Sequence, residues 1–321
     1  MIARFEEFQF ETQDFDHPLS ARAYLPSRFT GRTGFAVFCH GWGGNRFHRD
    51  HLAGFFEALD IVAVSPEYRD SGFESRTGKS SGAGWNIPYE FGKLQAVDAL
   101  QALSTAIDRY RVDRRRLFLI GCSGGGHVAL QAMAFAPHTF ALAVALAPIT
   151  RPTDRSDVET GPYRNDPKPD EYLSRGPDYR TGWGWQGVAL AEKTFAPEEW
   201  NIRNCQRPEH VAAIQRKVVL LHGTADDVVD VHHSLDMTAA LIRAGKPVSL
   251  HLLDGRTHDL SESALTRRFP LGGDLEQFAM HDLSTAVTDG QTDFDRRSEV
   301  ALGRWTVSFT TGVPVLRLNP V

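Results

Sequence analysis

Cysteine is scarce in this chain. Cys39, Cys122 and Cys205 are the 3 it has, far apart and without a C-x-x-C pair, which excludes a disulfide framework and the common zinc and redox motifs. An excess of one charge is missing too. With a formal net charge of -5 and a pI near 6.2, nothing draws the chain toward phosphate backbones or anionic lipid, and neither nucleic acid nor a membrane is an expected partner. The densest basic stretch, Arg109 to Arg116, is broken by Asp113 and reads as a solvated connection ahead of an apolar run. Residues 1–10 carry Glu6 and Glu7 and lack a long apolar run, so no secretion signal or membrane span is expected and a cytoplasmic location follows by default. Internal repeats and low-complexity tracts are also lacking.

What the chain does have is a series of short apolar runs bounded by Gly, Pro and Asp: 35–39, 61–65, 117–121, 142–147, 218–221 and 248–253. Most are apolar throughout rather than alternating, the pattern of strands covered on both faces in a parallel sheet. Glu90 to Tyr110 and His127 to Ala136 can supply crossover helices. Residues 1–30 alternate instead (Phe5, Phe8, Phe10; Ala21, Ala23, Leu25) and read as antiparallel edge strands. The expected fold is α/β, a mostly parallel sheet with helices on both faces, as one domain over residues 1–321. Residues 151–210, rich in Pro, Gly, Arg and aromatics, are expected to form a cap insertion, with Trp183 and Trp185 lining a substrate pocket. Residues 259–321 are an extension with a helix-compatible stretch from Phe294 to Phe309.

The run 117–121 leads straight into Gly121-Cys122-Ser123-Gly124-Gly125 and then a helix-compatible stretch, which sets G-x-S-x-G in the strand-turn-helix context of the α/β-hydrolase fold. Glycines are needed because the serine sits in a strained turn where flanking side chains would clash. Cys122 is the rival nucleophile, but framing the motif on it would require glycine at position 120, which is Ile120. A serine hydroxyl is a weak nucleophile and needs a base whose tautomer is held by an acid. In this fold those partners follow in the order acid, then histidine. The run 218–221 is followed by His222 to Val229, containing Asp226 and Asp227, and the run 248–253 by Asp254 to His258. Only one of the adjacent aspartates can face His258. The oxyanion needs N–H donors, for which Gly124 and the loop His40-Gly41-Trp42-Gly43-Gly44 are candidates, Trp42 N–H in particular. His48 and His51 could share a helix face as metal ligands, but no third ligand accompanies them; no metal and no cofactor are expected.

With these residues in hand, the chain resembles the catalytic domain of the prolyl oligopeptidase-like serine hydrolases, including their acylaminoacyl-peptidase and esterase relatives. The resemblance runs over about residues 30–150 and 210–260 and rests on His40 to Gly44, Tyr68 to Ser75, Asp98, Gly121 to Gly125, Leu146-Ala147-Pro148, His222 to Val229 and His258. It implies that Asp226 is the acid, because the family's G-x-x-D-x-x-V pattern runs from Gly223 to Val229. Three departures stand out. Residues 1–30 are too few for the oligopeptidases' β-propeller, Trp42 replaces the tyrosine that many of these peptidases use as an oxyanion donor, and residues 259–321 continue past the usual end. The first expectation is a carboxylic-ester hydrolase working through an acyl-enzyme on Ser123, with a small ester or short acyl-peptide as substrate. A peptidase or amidase, and an acyltransferase, are the alternatives.

Overall fold

The computed structural model describes residues 4–41, 44–47, 50–72, 81–82, 92–152, 197–260 and 277–320. Its centre is an eight-stranded sheet. The strands are β1 (Arg4–Phe10), β2 (Leu19–Leu25), β3 (Gly34–Cys39), β4 (Ile61–Pro66), β5 (Leu117–Cys122), β6 (Leu142–Leu146), β7 (Lys217–Gly223) and β8 (Val248–Leu253), in the order β1-β2-β4-β3-β5-β6-β7-β8. The pairings β1/β2 and β2/β4 are antiparallel, and every pairing from β4 across to β8 is parallel. The N-terminal alternation therefore does mark an antiparallel edge. The uniformly apolar runs are parallel strands, and β3, β4, β5 and β6 are buried along their whole length.

Helices cover both faces, as the expected fold requires. On one face lie α2 (Lys93–Ile107), α3 (Gly124–Phe135) and α6 (His232–Arg243), packing Leu100, Leu103, Met133 and Met237 onto Val37, Leu119 and Leu220. On the other lie α1 (Ala53–Ala58) and α7 (Met280–Thr285), whose Phe55, Phe56 and Leu283 meet Phe38, Phe118 and Ile120. Each large apolar side chain so buried stabilises the fold by roughly 1.5–3 kcal/mol. Helix α2 is set by apolar residues at three- and four-residue spacing, Ala96, Leu100, Leu103 and Ile107, and it starts where Gln95 Oε1 accepts the Gly92 N–H at 2.9 Å.

Two short helices, α4 (Pro197–Ile202) and α5 (Pro208–Ala213), lead back toward β7. The chain returns beside its point of departure: Cys205 N–H donates to Thr150 O at 2.8 Å and Gln206 Nε2 to Thr150 Oγ1 at 2.7 Å. Residues 153–196, which include Trp183 and Trp185, lie outside the described residues, and so do Trp42 and His48.

The C-terminal region corrects one expectation. In place of a helix over Phe294 to Phe309 there is a single turn, α8 (Asp293–Arg296), followed by an antiparallel sheet of β9 (Glu299–Leu302), β10 (Trp305–Ser308) and β11 (Val315–Leu318), with β10 in the middle. Arg297 ends the helix in the left-handed region at φ 51°, and Gly303 at φ 65° opens a two-residue hairpin between paired Leu302 and Trp305. Leu302, Trp305, Val307, Phe309 and Leu316 then join the core shared with α2 and α3. Gln13 clamps the sheet, donating to Leu316 O at 2.9 Å and accepting Leu316 N–H at 2.8 Å.

Candidate active site

Strand β5 ends in a turn that lifts Ser123 out of the sheet. Ser123 stands just ahead of α3 with φ 59° and ψ -125°, a conformation a non-glycine residue adopts only when its surroundings hold it there. What holds it is close packing. A methyl group on Gly125 would lie 2.1 Å from the Cys39 carbonyl oxygen, and one on Gly121 would lie 2.1 Å from that of Gly125, so the helix can approach β3 and β5 only with glycine at both places. Ser123 N–H donates to Leu146 O at 2.8 Å, tying the turn to the end of β6. Ser123 remains half-buried, whereas Cys122 points into the core at 4% exposure, which sets it apart from its rival as an accessible nucleophile.

Strands β6, β7 and β8 carry the next elements at the same sheet edge, because they run parallel to β5. Backbone bonds stitch these ends together: Ala147 N–H to Leu221 O at 2.7 Å, Thr224 N–H to Leu253 O at 3.0 Å and Ala225 N–H to Arg256 O at 3.0 Å. Asp226 and His258 meet there, with Nδ1 2.8 Å from Oδ2. Asp227, its neighbour in sequence, is exposed, while Asp226 is 3% exposed. The other oxygen of Asp226, Oδ1, accepts the N–H groups of Val228 and Val229, each at 2.9 Å. Burial alone would push this carboxyl up, but hydrogen bonds from His222 and His258 outweigh it and hold Asp226 well below the usual carboxylate range. His258 is presented on a turn closed by Leu260 N–H to Thr257 O at 2.9 Å and by Arg256 Nη1 to Leu260 O at 3.1 Å. Among the described residues no hydrogen bond joins His258 to Ser123 Oγ, a contact that often tightens only when substrate is bound.

The expected oxyanion donors are described in part. Gly124 N–H is the first amide of α3. Gly41 lies against the serine, where a methyl group would be 3.8 Å from Ser123 Oγ. Its loop is braced by His40, whose Nδ1 donates to Gly41 O at 2.9 Å and whose Nε2 accepts from Ser71 Oγ at 2.9 Å. Ser71 Oγ in turn accepts Tyr68 N–H at 2.7 Å, and Gly72 N–H reaches Gly44 O at 3.0 Å.

The sequence reading missed His40 and Ser71 as braces, and it missed His222 and Ser234. Fully buried His222 lies with Nε2 3.1 Å from Asp226 Oδ2 and Nδ1 2.7 Å from Ser234 Oγ. One signal was available: His222 ends an otherwise apolar run in a strand covered on both faces, and a polar side chain there needs partners. Among the described residues no cluster of His, Cys, Asp or Glu could hold a metal ion, and no helix is long and apolar enough to cross a membrane.

Comparison with known proteins fits this arrangement. The sequence profile of the prolyl oligopeptidase family matches residues 47–269, more than half of the chain. The chain belongs to the prolyl oligopeptidase family. The match contains Ser123, Asp226 and His258 and leaves β1, β2, β3 and the C-terminal sheet outside. Human dipeptidyl peptidase 8 is 27% identical over 173 residues, which is 54% of this chain and 16% of the relative. A probable dipeptidyl-aminopeptidase B from Fusarium vanettenii is 24% identical over 244 residues, 73% of this chain and 23% of the relative. This family member thus spans less than a quarter of the length of either. Among solved structures, an acylaminoacyl peptidase of Pyrococcus horikoshii superposes with a TM-score of 0.64 at 15% identity, covering 90% of this chain and 42% of that one. A puromycin-hydrolyzing peptidase of Mycobacterium tuberculosis gives 0.57 at 19% identity, covering 80% and 36%. At such identities the superpositions establish the shared α/β-hydrolase fold.

Proposed function

We propose that this chain is a serine peptidase that cleaves an amide bond of a short acyl- or aminoacyl-peptide through an acyl-enzyme on Ser123. The observation that carries the reading is the Asp226–His258 pair, 2.8 Å apart, at the sheet edge where the elbow presents Ser123. His258 Nε2 takes the proton of Ser123 Oγ as that oxygen bonds to the substrate carbonyl carbon. Asp226 accepts the Nδ1–H and so keeps the other ring nitrogen free to act as base. Gly124 N–H and the loop at Gly41 and Trp42 stabilise the developing oxyanion. The carbonyl–nitrogen bond then breaks, the proton passes from His258 to the leaving amine, and a water activated by the same histidine releases the acid.

Ester cleavage, the first expectation from the sequence, uses the same steps with an alcohol as leaving group. The relatives favour the amide, since the proteins named above are all peptidases. The test has two parts. A fluorophosphonate should label Ser123 in the wild type and nothing in Ser123→Ala. Paired aminoacyl anilide and aminoacyl ester substrates sharing one acyl group should then both be turned over. Turnover of the ester alone would return the reading to an esterase, and no labelling at Ser123 would end it.

A further inference from the structure

Asp226 Oδ2 accepts from two imidazoles. His258 Nδ1 is 2.8 Å away and His222 Nε2 is 3.1 Å away. His222 Nε2 also lies 3.1 Å from the Val229 carbonyl oxygen, so both of its neighbours are acceptors and this nitrogen carries the proton. Its other nitrogen is 2.7 Å from Ser234 Oγ on α6, and the hydroxyl donates to it. Both His222 and Ser234 are fully buried. We infer that His222, braced by Ser234, is a positioning residue that fixes the carboxylate of Asp226 toward His258 and tempers the pull of Asp226 on the His258 ring. The inference rests on the proposed roles of Ser123, His258 and Asp226.

The physics is that of one acceptor with two donors. Charge on Oδ2 shared with the His222 N–H is charge withheld from the His258 N–H, so the His258 ring meets a weaker acceptor than an undivided carboxylate would be. The second donor also fixes the plane of the carboxylate, together with the N–H groups of Val228 and Val229. A buried histidine serving only to satisfy Val229 O would affect stability and nothing else.

The two roles separate in the pH dependence of Ser123 labelling by a fluorophosphonate, measured on the full chain. His222→Leu removes the donor, while His222→Gln keeps an N–H close to the position of Nε2. We expect His222→Leu to label roughly 10- to 100-fold more slowly at neutral pH. Its acid limb should move up by about one pH unit, since the His258 N–H then faces an undivided carboxylate. His222→Gln should restore the limb and most of the rate. Asp227, Asp230, His232 and His233 on the β7–α6 side, and Arg256 and Asp259 after β8, are unchanged in every variant, so the difference reads the His222 donor. A wild-type acid limb in His222→Leu, whatever its melting temperature, overturns the inference, and so does His222→Gln behaving like His222→Leu. If His222→Leu does not fold, Ser234→Ala carries the test: a smaller upward shift supports the inference and a wild-type profile overturns it. Labelling that depends on His258 but not on His222 sinks the inference alone. Labelling of the wild type that is absent, or independent of His258, sinks the functional reading and this inference with it.

Discussion

His258 reaches back across 32 residues of chain to Asp226, placing Nδ1 2.8 Å from Oδ2. Asp226 is buried and Asp227 is exposed, so the two aspartates should behave very differently when neutralised. Asp226→Asn should lower kcat by about 10⁴, because an amide offers the ring the wrong partner and tautomer. Asp227→Asn should stay near wild type. Steady-state kinetics on one anilide substrate checks both, and the reverse ranking would move the acid to Asp227.

Ser123→Ala and His258→Ala should each lower kcat by about 10⁴ to 10⁶, and the double variant should lose little more, since the members act as a unit. Melting temperatures should stay near that of the wild type, as neither side chain belongs to the core. Additive losses in the double variant would argue against a shared catalytic unit.

Gly125→Ala should damage folding and labelling together. Its methyl group would fall 2.1 Å from the Cys39 carbonyl oxygen and 2.5 Å from that of His40, and relieving the overlap means moving backbone under the elbow. Overpacking of this kind costs about 1–3 kcal/mol. Denaturant unfolding and fluorophosphonate labelling of the same sample test this. Full labelling with unchanged stability would show that the elbow can relax.

Stability should fall in mild acid for a reason unrelated to catalysis. Burial pushes His127 from 6.5 down to about 3 and His210 from 6.5 down to about 4. Both rings are therefore neutral in the folded protein. The stability linked to this is fully present above 6.5 and is lost as the pH falls from 6.5 toward 4 and 3, where the unfolded chain binds the protons more readily. Each ring bonds a backbone carbonyl through Nε2, Arg203 O for His127 and Ile202 O for His210. Glutamine can keep that donor without titrating. The double variant His127→Gln, His210→Gln should lose less melting temperature than wild type between about pH 7.5 and about pH 5. Equal losses would place the acid sensitivity elsewhere. Asp226, held below the usual carboxylate range, adds stability that is present above that range and lost only at still lower pH.

The C-terminal sheet should be part of the cooperative fold. Trp305 is 7% exposed, donates through Nε1 to Glu198 O at 3.0 Å, and has Lys93 Nζ over its ring at 5.0 Å. Trp305→Ala should destabilise by about 3–5 kcal/mol. Chemical denaturation followed by circular dichroism should show one transition at lower denaturant. A separate early transition would mean that the sheet unfolds on its own.

Period and punctuation along the chain determined the sheet and the elbow. A strand covered on both faces can be apolar at every position, and a serine in a strained turn beside a close helix needs glycine around it, so runs such as Leu117 to Gly121 and the motif at Ser123 carry their structure locally. The order of acid and histidine was legible for the same reason, since each follows its own strand. Periodicity did not reveal the C-terminal sheet, because the spacing of Phe294, Val300, Leu302, Trp305 and Phe309 suits a helix as well as strands; Gly303 at φ 65° and the packing of Leu302 and Trp305 on the main core decided it. The choice between Asp226 and Asp227 was open in the residues themselves and rested on a resemblance, since burial is a property of the folded loop. Only the tertiary structure brought His222, backed by Ser234, to the Asp226 oxygen that His258 also reaches. They come from a strand and from a helix, and a hydrogen bond between side chains of different elements depends on how those elements pack, which no local pattern encodes.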